Sequence, residues 1–166
     1  VAADPLYTAA YTGVTGGMVI AVADDPGMHS SQNEQDSRHH AIASKVLMVE
    51  PSDSAECKDF VKESFELSEK YDTPVIVRLS TRVSHSQSSV ELCDRENVET
   101  KPYVKNPQKY VMMPAFAKAR HVFVEERTKK LIEYAETSTL NKIELNGGND
   151  IKHYLHTRTA CVCHFG

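Results

Sequence analysis

The sequence has no apolar run approaching the ~18–20 residues that a membrane-spanning helix needs. Its first residues carry neither a basic segment nor a cleavable apolar stretch, so no secretory signal is visible. Positive charge is not in excess: 19 Lys+Arg against 23 Asp+Glu give a formal net charge of −4, which argues against a nucleic-acid binder with a basic face. Cysteines are few and uneven, with Cys57 and Cys93 isolated and Cys161 and Cys163 in the last six residues. That is no disulfide framework and fits a reducing compartment, the cytoplasm. Cys161-x-Cys163-His164 lacks a second ligand pair at a zinc-site spacing, so no metal is assigned and the tail reads as structureless. Also missing are a G-x-G-x-x-G turn, a Walker-type G-K-[ST], a G-x-S-x-G elbow, an H-E-x-x-H helix and an EF-hand loop. What is left is 166 residues of ordinary composition, 40% hydrophobic and 25% charged, enough for one domain of the soluble globular class.

Three short apolar runs stand out: Val19-Ile20-Ala21-Val22-Ala23, Val46-Leu47-Met48-Val49 and Val75-Ile76-Val77-Arg78-Leu79. Each is bounded by Gly, Pro or acidic residues, the pattern of strands buried on both faces of a parallel sheet. Helical periodicity lies between them. Asp53 and Glu56 form a capping-box pair ahead of Cys57, Phe60, Val61, Ser64, Leu67 and Tyr71, which predicts an amphipathic helix over 53–71. Ser31-x-x-Glu34 has the same form and predicts a shorter helix to about Ala43, with Glu34 and Arg38 as an i,i+4 pair. Residues 2–12 predict a further helix ending at Gly13, and Ala115 to about Glu136 another. Residues 80–114 are polar and Pro-punctuated, an extended excursion. Strands alternating with helices give an α/β fold with a parallel sheet flanked by helices.

Ligands of open α/β sheets bind outside the carboxyl ends of the strands. The loop after the first strand is the richest one there. Between Asp24 and His40 it concentrates carboxylates, hydroxyls, amides, three imidazoles and a guanidinium, with Pro26-Gly27 as the turn. Asp25, His29, Ser30, Ser31, Gln32, Asn33 and Arg38 are the candidate substrate- or cofactor-facing residues. Amides near Ser31 to Asn33, at a helix start, would suit an anion. Capping and ion pairing account equally well for Ser31, Glu34 and Arg38. The loop after the third strand, with Arg82 and His85, is a secondary candidate. A hydrogen-bonded crossover is its alternative explanation.

The string Ala23-Asp24-Asp25-Pro26-Gly27-Met28-His29-Ser30-Ser31-Gln32-Asn33-Glu34-Gln35-Asp36-Ser37-Arg38 resembles the signature of indolepyruvate:ferredoxin oxidoreductase α subunits. These belong to the thiamine-diphosphate-dependent 2-oxoacid:ferredoxin oxidoreductases. The resemblance extends over about residues 1–145, taking in Glu50-Pro51-Ser52-Asp53-Ser54, Thr81-Arg82-Val83-Ser84-His85-Ser86 and Tyr110-Val111-Met112-Met113-Pro114. It implies a thiamine-diphosphate-binding fold of the pyrimidine-domain type, incomplete at the N-terminus. Residues 1–92 would be its C-terminal part, 93–145 an extended linker plus helix toward a next domain, and 146–166 an atypical tail. The implied enzyme oxidatively decarboxylates aryl-pyruvates such as indolepyruvate to acyl-coenzyme A, with ferredoxin as electron acceptor. Its cofactors are thiamine diphosphate with Mg²⁺ and 4Fe-4S clusters, the clusters lying outside this chain. Its partners are a β subunit, ferredoxin, coenzyme A and the 2-oxoacid, with neither nucleic acid nor membrane.

The family's activating glutamate maps upstream of Val1, so no catalytic residue is assigned and the fragment alone is expected to be inactive. Gln32, Asn33 and Arg38 are the loop residues expected nearest substrate or coenzyme A. Two alternatives stay open: a non-catalytic α/β interaction module, and another 2-oxoacid:ferredoxin oxidoreductase.

Overall fold

The fold is a computed structural model that describes residues 2–145 and 154–161. Three helices alternate with three strands before the chain leaves the sheet: α1 (Ala3–Thr12), β1 (Val19–Asp24), α2 (Arg38–Ser44), β2 (Leu47–Glu50), α3 (Ser54–Tyr71) and β3 (Val75–Ser80). The short helices α4 (Thr81–Ser84) and α5 (Pro107–Tyr110) follow, then the long α6 (Pro114–Thr137) and the strands β4 (Lys142–Leu145) and β5 (Tyr154–Cys161). In the sheet, β3 lies between β1 and β2 and pairs in parallel with both. Val75 sits opposite both Val19 and Leu47. The three strands therefore start level, and their carboxyl ends point the same way.

The period-two alternation of the strands divides the core between two faces. Met48 and Ile76 pack with Ala10, Ala41 and Val46 on the α1/α2 side. Leu47 and Val75 pack with Leu67 and Leu131 on the α3/α6 side, and Val49 and Val77 with Phe60. Helix α3 starts as its sequence requires. The Asp53 carboxylate accepts the Glu56 amide at 2.8 Å, and Glu56 reaches back to the Ser52 amide at 2.9 Å. Helix α1 stops at Gly13, whose φ of +75° suits glycine.

Three expectations are corrected. β1 is not buried on both faces: Ala21 and Ala23 are exposed, because β1 stands at one edge of the described sheet. No helix starts at Ser31: α2 begins at Arg38, because the preceding amides bond elsewhere, as shown below. The tail is not structureless throughout. The backbone of β5 pairs antiparallel with β2, Val49 opposite Ala160, and with β4. That pairing satisfies the open edge of β2, a partner that periodicity within residues 146–166 does not reveal. Cys163 and His164 lie outside the described residues. Among the described residues no group of His, Cys, Asp and Glu is arranged to hold a metal ion, and no helix is long and apolar enough to cross a membrane.

The excursion expected over 80–114 is interrupted by α4 and α5, and in the stretch between them residues 87–106 are exposed throughout. They run along the outer face of α3, where lysine contacts tie them down: Lys58 to the Glu91 carbonyl, Lys62 to Glu96 and Lys101 to Glu69. At the amino end of the sheet a second junction forms around Asp72. Its carboxylate accepts the Val14 amide at 2.9 Å, Lys109 Nζ at 2.8 Å and Arg120 Nη2 at 3.2 Å. Arg127, buried within α6, donates to the carbonyls of Asp72 and Ala10, each at 2.8 Å. Burial pushes the Arg127 pKa down to about 10.

Candidate functional site

β1 ends on Asp24 and the loop begins with Asp25; both are buried, and they do different work. Asp25 organises the loop that follows. Its carboxylate accepts the backbone amides of His29 (3.1 Å), Ser30 (2.6 Å) and Ser31 (2.7 Å). The Ser30 hydroxyl (3.2 Å) and the Thr81 hydroxyl (2.8 Å) complete the set. The Pro26-Gly27 turn makes this wrap possible, with Gly27 at φ +78° and Met28 at φ +57°. The Ser30 amide above all, then the Thr81 hydroxyl, outweigh burial and with Ser31 hold the Asp25 carboxyl well below the usual carboxylate range. Of the amides expected to suit an anion, that of Ser31 is thus taken by a carboxylate of the chain itself.

Asp24 faces the sheet and anchors the far end of the loop. It accepts the Ser37 amide and hydroxyl, both at 2.7 Å, and Arg78 Nε at 2.5 Å. Burial pushes its carboxyl up, but the Ser37 hydroxyl and amide and the Arg78 guanidinium together outweigh that and hold it below its ordinary value. Arg78, on β3 and 6% exposed, also donates from Nη1 to Glu50 Oε2 at 3.0 Å and lies 3.7 Å from Asp36 through Nη2. Asp36 in turn grips Arg38, with contacts of 2.6, 2.9 and 3.1 Å. Hydrogen bonding to Arg38, against some burial, holds the Asp36 carboxyl well below the usual range. Arg38 therefore pairs with Asp36 and not with Glu34. The spacing i,i+4 works only within a helix, and residues 34–37 are not helical.

Around this frame the sequence-predicted residues separate. Asp25, Ser30, Ser31 and Arg38 belong to the network. His29, Gln32 and Asn33 are exposed, at the outer part of the loop. After β3 the expected loop is instead the short helix α4, capped by the Ser80 hydroxyl; Thr81 at its start reaches Asp25, while Arg82 and His85 are exposed. Asp24, Thr81 and Arg78 were not singled out from sequence. An arginine inside an otherwise apolar strand run, with an aspartate ending another strand, is the signal that points to such a pair. An apolar cleft of about 620 Å³ opens beside the loop, between Leu6 and Ala9 of α1, Ile20 and Val22 of β1, and Ser37 and His40. Its size and character suit a small organic ligand. Buried donors and carboxylates lock the loop, and its exposed amide and imidazole side chains can hydrogen-bond a polar group presented from outside.

The family described as "Pyruvate flavodoxin/ferredoxin oxidoreductase, thiamine diP-bdg" matches residues 17–146. Among curated proteins the chain is similar to the "Indolepyruvate oxidoreductase subunit IorA" of Methanothermobacter thermautotrophicus. The identity is 44% over 151 residues, covering 90% of this chain and 24% of that protein. The protein of that name from Archaeoglobus fulgidus is 41% identical over 151 residues, with the same two shares. That from Pyrococcus horikoshii is 44% identical over 158 residues, 92% of this chain and 24% of its own length. No solved structure matches. The chain spans about a quarter of the length of the curated relatives it matches. The matched segment holds the parallel strands, the Asp25-centred loop and α6, so the chain belongs to the thiamine-diphosphate-binding family of the pyruvate flavodoxin/ferredoxin oxidoreductases.

Proposed function

We propose that this chain is part of a 2-oxoacid oxidoreductase that decarboxylates indolepyruvate or a similar aryl-pyruvate to an acyl-coenzyme A, with ferredoxin as electron acceptor and a second subunit as partner. We further propose that the 25–38 loop lines the entrance to its active site, with Arg82 of α4 and His85 at the end of that helix as secondary contributors. The observation that carries this reading is the loop's position. It leaves the carboxyl end of β1, where α/β sheets bind ligands, and it is fixed from below by Asp25 and Asp24. The names of the relatives support the substrate class.

When bound, thiamine diphosphate supplies the carbanion chemistry of such enzymes. A proton relay at its aminopyrimidine needs a carboxylate without a strong cationic or amide partner. Asp24, Asp25 and Asp36 are all committed, and Glu50 keeps one buried oxygen without a hydrogen bond while Arg78 holds the other. No described residue is assigned a step at the cofactor, at Mg²⁺ or at an iron–sulfur cluster. What its residues do is bind and orient. The Asp25 wrap fixes the loop backbone, so Gln32, Asn33 and His29 are presented from a rigid base toward a carboxylate or carbonyl of the substrate. The apolar cleft beside Ser37 and His40 offers a surface to an aromatic side chain.

The test is kinetic. In the full-length enzyme with its partner subunit, Gln32→Ala and Asn33→Ala are expected to raise KM for indolepyruvate or coenzyme A or to lower kcat. One lost hydrogen bond corresponds to about fivefold to tenfold. Ferredoxin reduction is the readout. Unchanged kinetics in both variants, with activity intact, would remove the loop from the site. No activity of the wild-type complex on any aryl-pyruvate would favour a different 2-oxoacid.

A further inference from the structure

A second cavity, of about 400 Å³, lies at the opposite end of the sheet from the candidate site, between α5 and α6. Asn106, Gln108, Lys109, Phe116, Ala119 and Arg120 line it. None of these is acidic. The nearby carboxylate is that of Asp72, which faces Lys109 and Arg120, while Arg127 holds its carbonyl. Two cations thus share the carboxylate and a third lies on the carbonyl of the same residue, so positive charge is in excess among these side chains. Arg120 spends Nε on the Tyr11 carbonyl and Nη2 on Asp72 and its guanidinium lies over the Phe123 ring, leaving Nη1 without a hydrogen bond among the described residues. Lys109 uses two of its three donors, on Asp72 and on the Val14 carbonyl. Asn106 caps α5 through its carbonyl oxygen, so its amide nitrogen is still a donor.

We propose that this cavity binds a nucleoside phosphate. Lys109 and Arg120 take the phosphate, a charge-assisted contact that a planar guanidinium makes well. The ring of Phe116 and the methyl of Ala119 give the apolar surface for a base, which stacks on aromatic rings whatever its identity. Volume distinguishes this ligand from a bare anion: the cavity is in the range of small-molecule sites, far more than inorganic phosphate fills. The site needs none of the loop residues, so it stands or falls apart from the oxidoreductase reading.

The experiment is a calorimetric titration of the full-length protein with ADP, adenosine and inorganic phosphate. Gln108→Glu and Phe116→Leu are compared with wild type. Gln108 is exposed and makes no bond among the described residues, so its substitution adds a negative charge to the lining without touching a structural contact. ADP is expected to bind more tightly than adenosine or phosphate. Gln108→Glu should weaken ADP about tenfold, and Phe116→Leu should weaken ADP but not phosphate. Thiamine diphosphate affinity, read in the same variants, should stay unchanged. ADP binding that neither variant alters overturns the proposal, as does the absence of ADP binding. Phosphate binding as tight as ADP would make this a free-anion site and overturn it equally.

Discussion

Replacing Arg78 by methionine removes the cation that Asp24, Glu50 and Asp36 surround, while keeping the length and apolar body of the side chain. Breaking a buried ion pair from one side costs about 3–5 kcal/mol, because a charge is left buried without its partner. Asp24 keeps both Ser37 bonds, which places the loss at the low end, about 3 kcal/mol. At about 1.4 kcal/mol per factor of ten, that is an opening equilibrium roughly 10²-fold more favourable. Hydrogen exchange followed by mass spectrometry reads it locally: peptides covering β1 and β3 should exchange roughly 10²-fold faster in Arg78→Met of the full-length protein. The double variant Asp24→Asn/Arg78→Met, which leaves Asp24 uncharged, should recover a substantial part of the loss. Exchange accelerated less than about fivefold, or a double variant worse than the sum of the two singles, would refute the reasoning that Asp24 and Arg78 hold each other.

Two further outcomes follow from the same geometry. Asp24, Asp25 and Asp36 all titrate below their ordinary values in the folded chain. Below about pH 4 the unfolded state therefore binds more protons than the folded one. Their stabilisation is complete above that range and is lost as pH falls through the folded values. Limited proteolysis within residues 25–37 should accelerate from pH 5 to pH 3, and a flat profile would contradict the carboxylate anchoring. Gly13→Ala should loosen α1 by more than about 1 kcal/mol, since φ there is +75° and a Cβ would stand 2.3 Å from Asp72 Oδ1. Exchange of the α1 amides measures it, with Gly16→Ala, whose Cβ meets nothing within 4 Å, as the neutral control.

The parts of the fold that sequence made legible are those decided locally. Asp53, Glu56 and Ser52 cap α3 from within five residues, and the face from Phe60 to Leu67 needs only a period of 3.6. The three parallel strands were visible as apolar runs because their neighbours in the sheet are similar. The misreading at Ser31 has the opposite cause. A capping box competes there with Asp25, which takes the Ser31 amide that Glu34 would otherwise accept, because the turn at Gly27 and Met28 folds it back. Arg78 was hidden for a related reason: 54 positions separate it from Asp24, and only the register of β1 against β3 brings the two strand ends together. Arg127 stands beside Glu125 and Glu126 in sequence, yet α6 turns it inward to two carbonyls. The loop's richness in polar groups was plain from the start. Which of those groups face outward was decided by long-range contacts.

The excursion over 87–106 has a consequence for handling the protein. The contacts that hold it on α3 are made by lysines at exposed positions, with no apolar residue of the segment in the core. Exposed charge pairs are screened within a Debye length, which shrinks from about 8 Å at physiological ionic strength to about 3 Å in 1 M salt. Hydrophobic packing of the sheet does not weaken in the same way. Salt therefore separates the two: concentrated sodium chloride should lift the strap off α3 while β1, β2 and β3 stay folded beneath it, turning ionic strength into a selective handle on one segment of the chain.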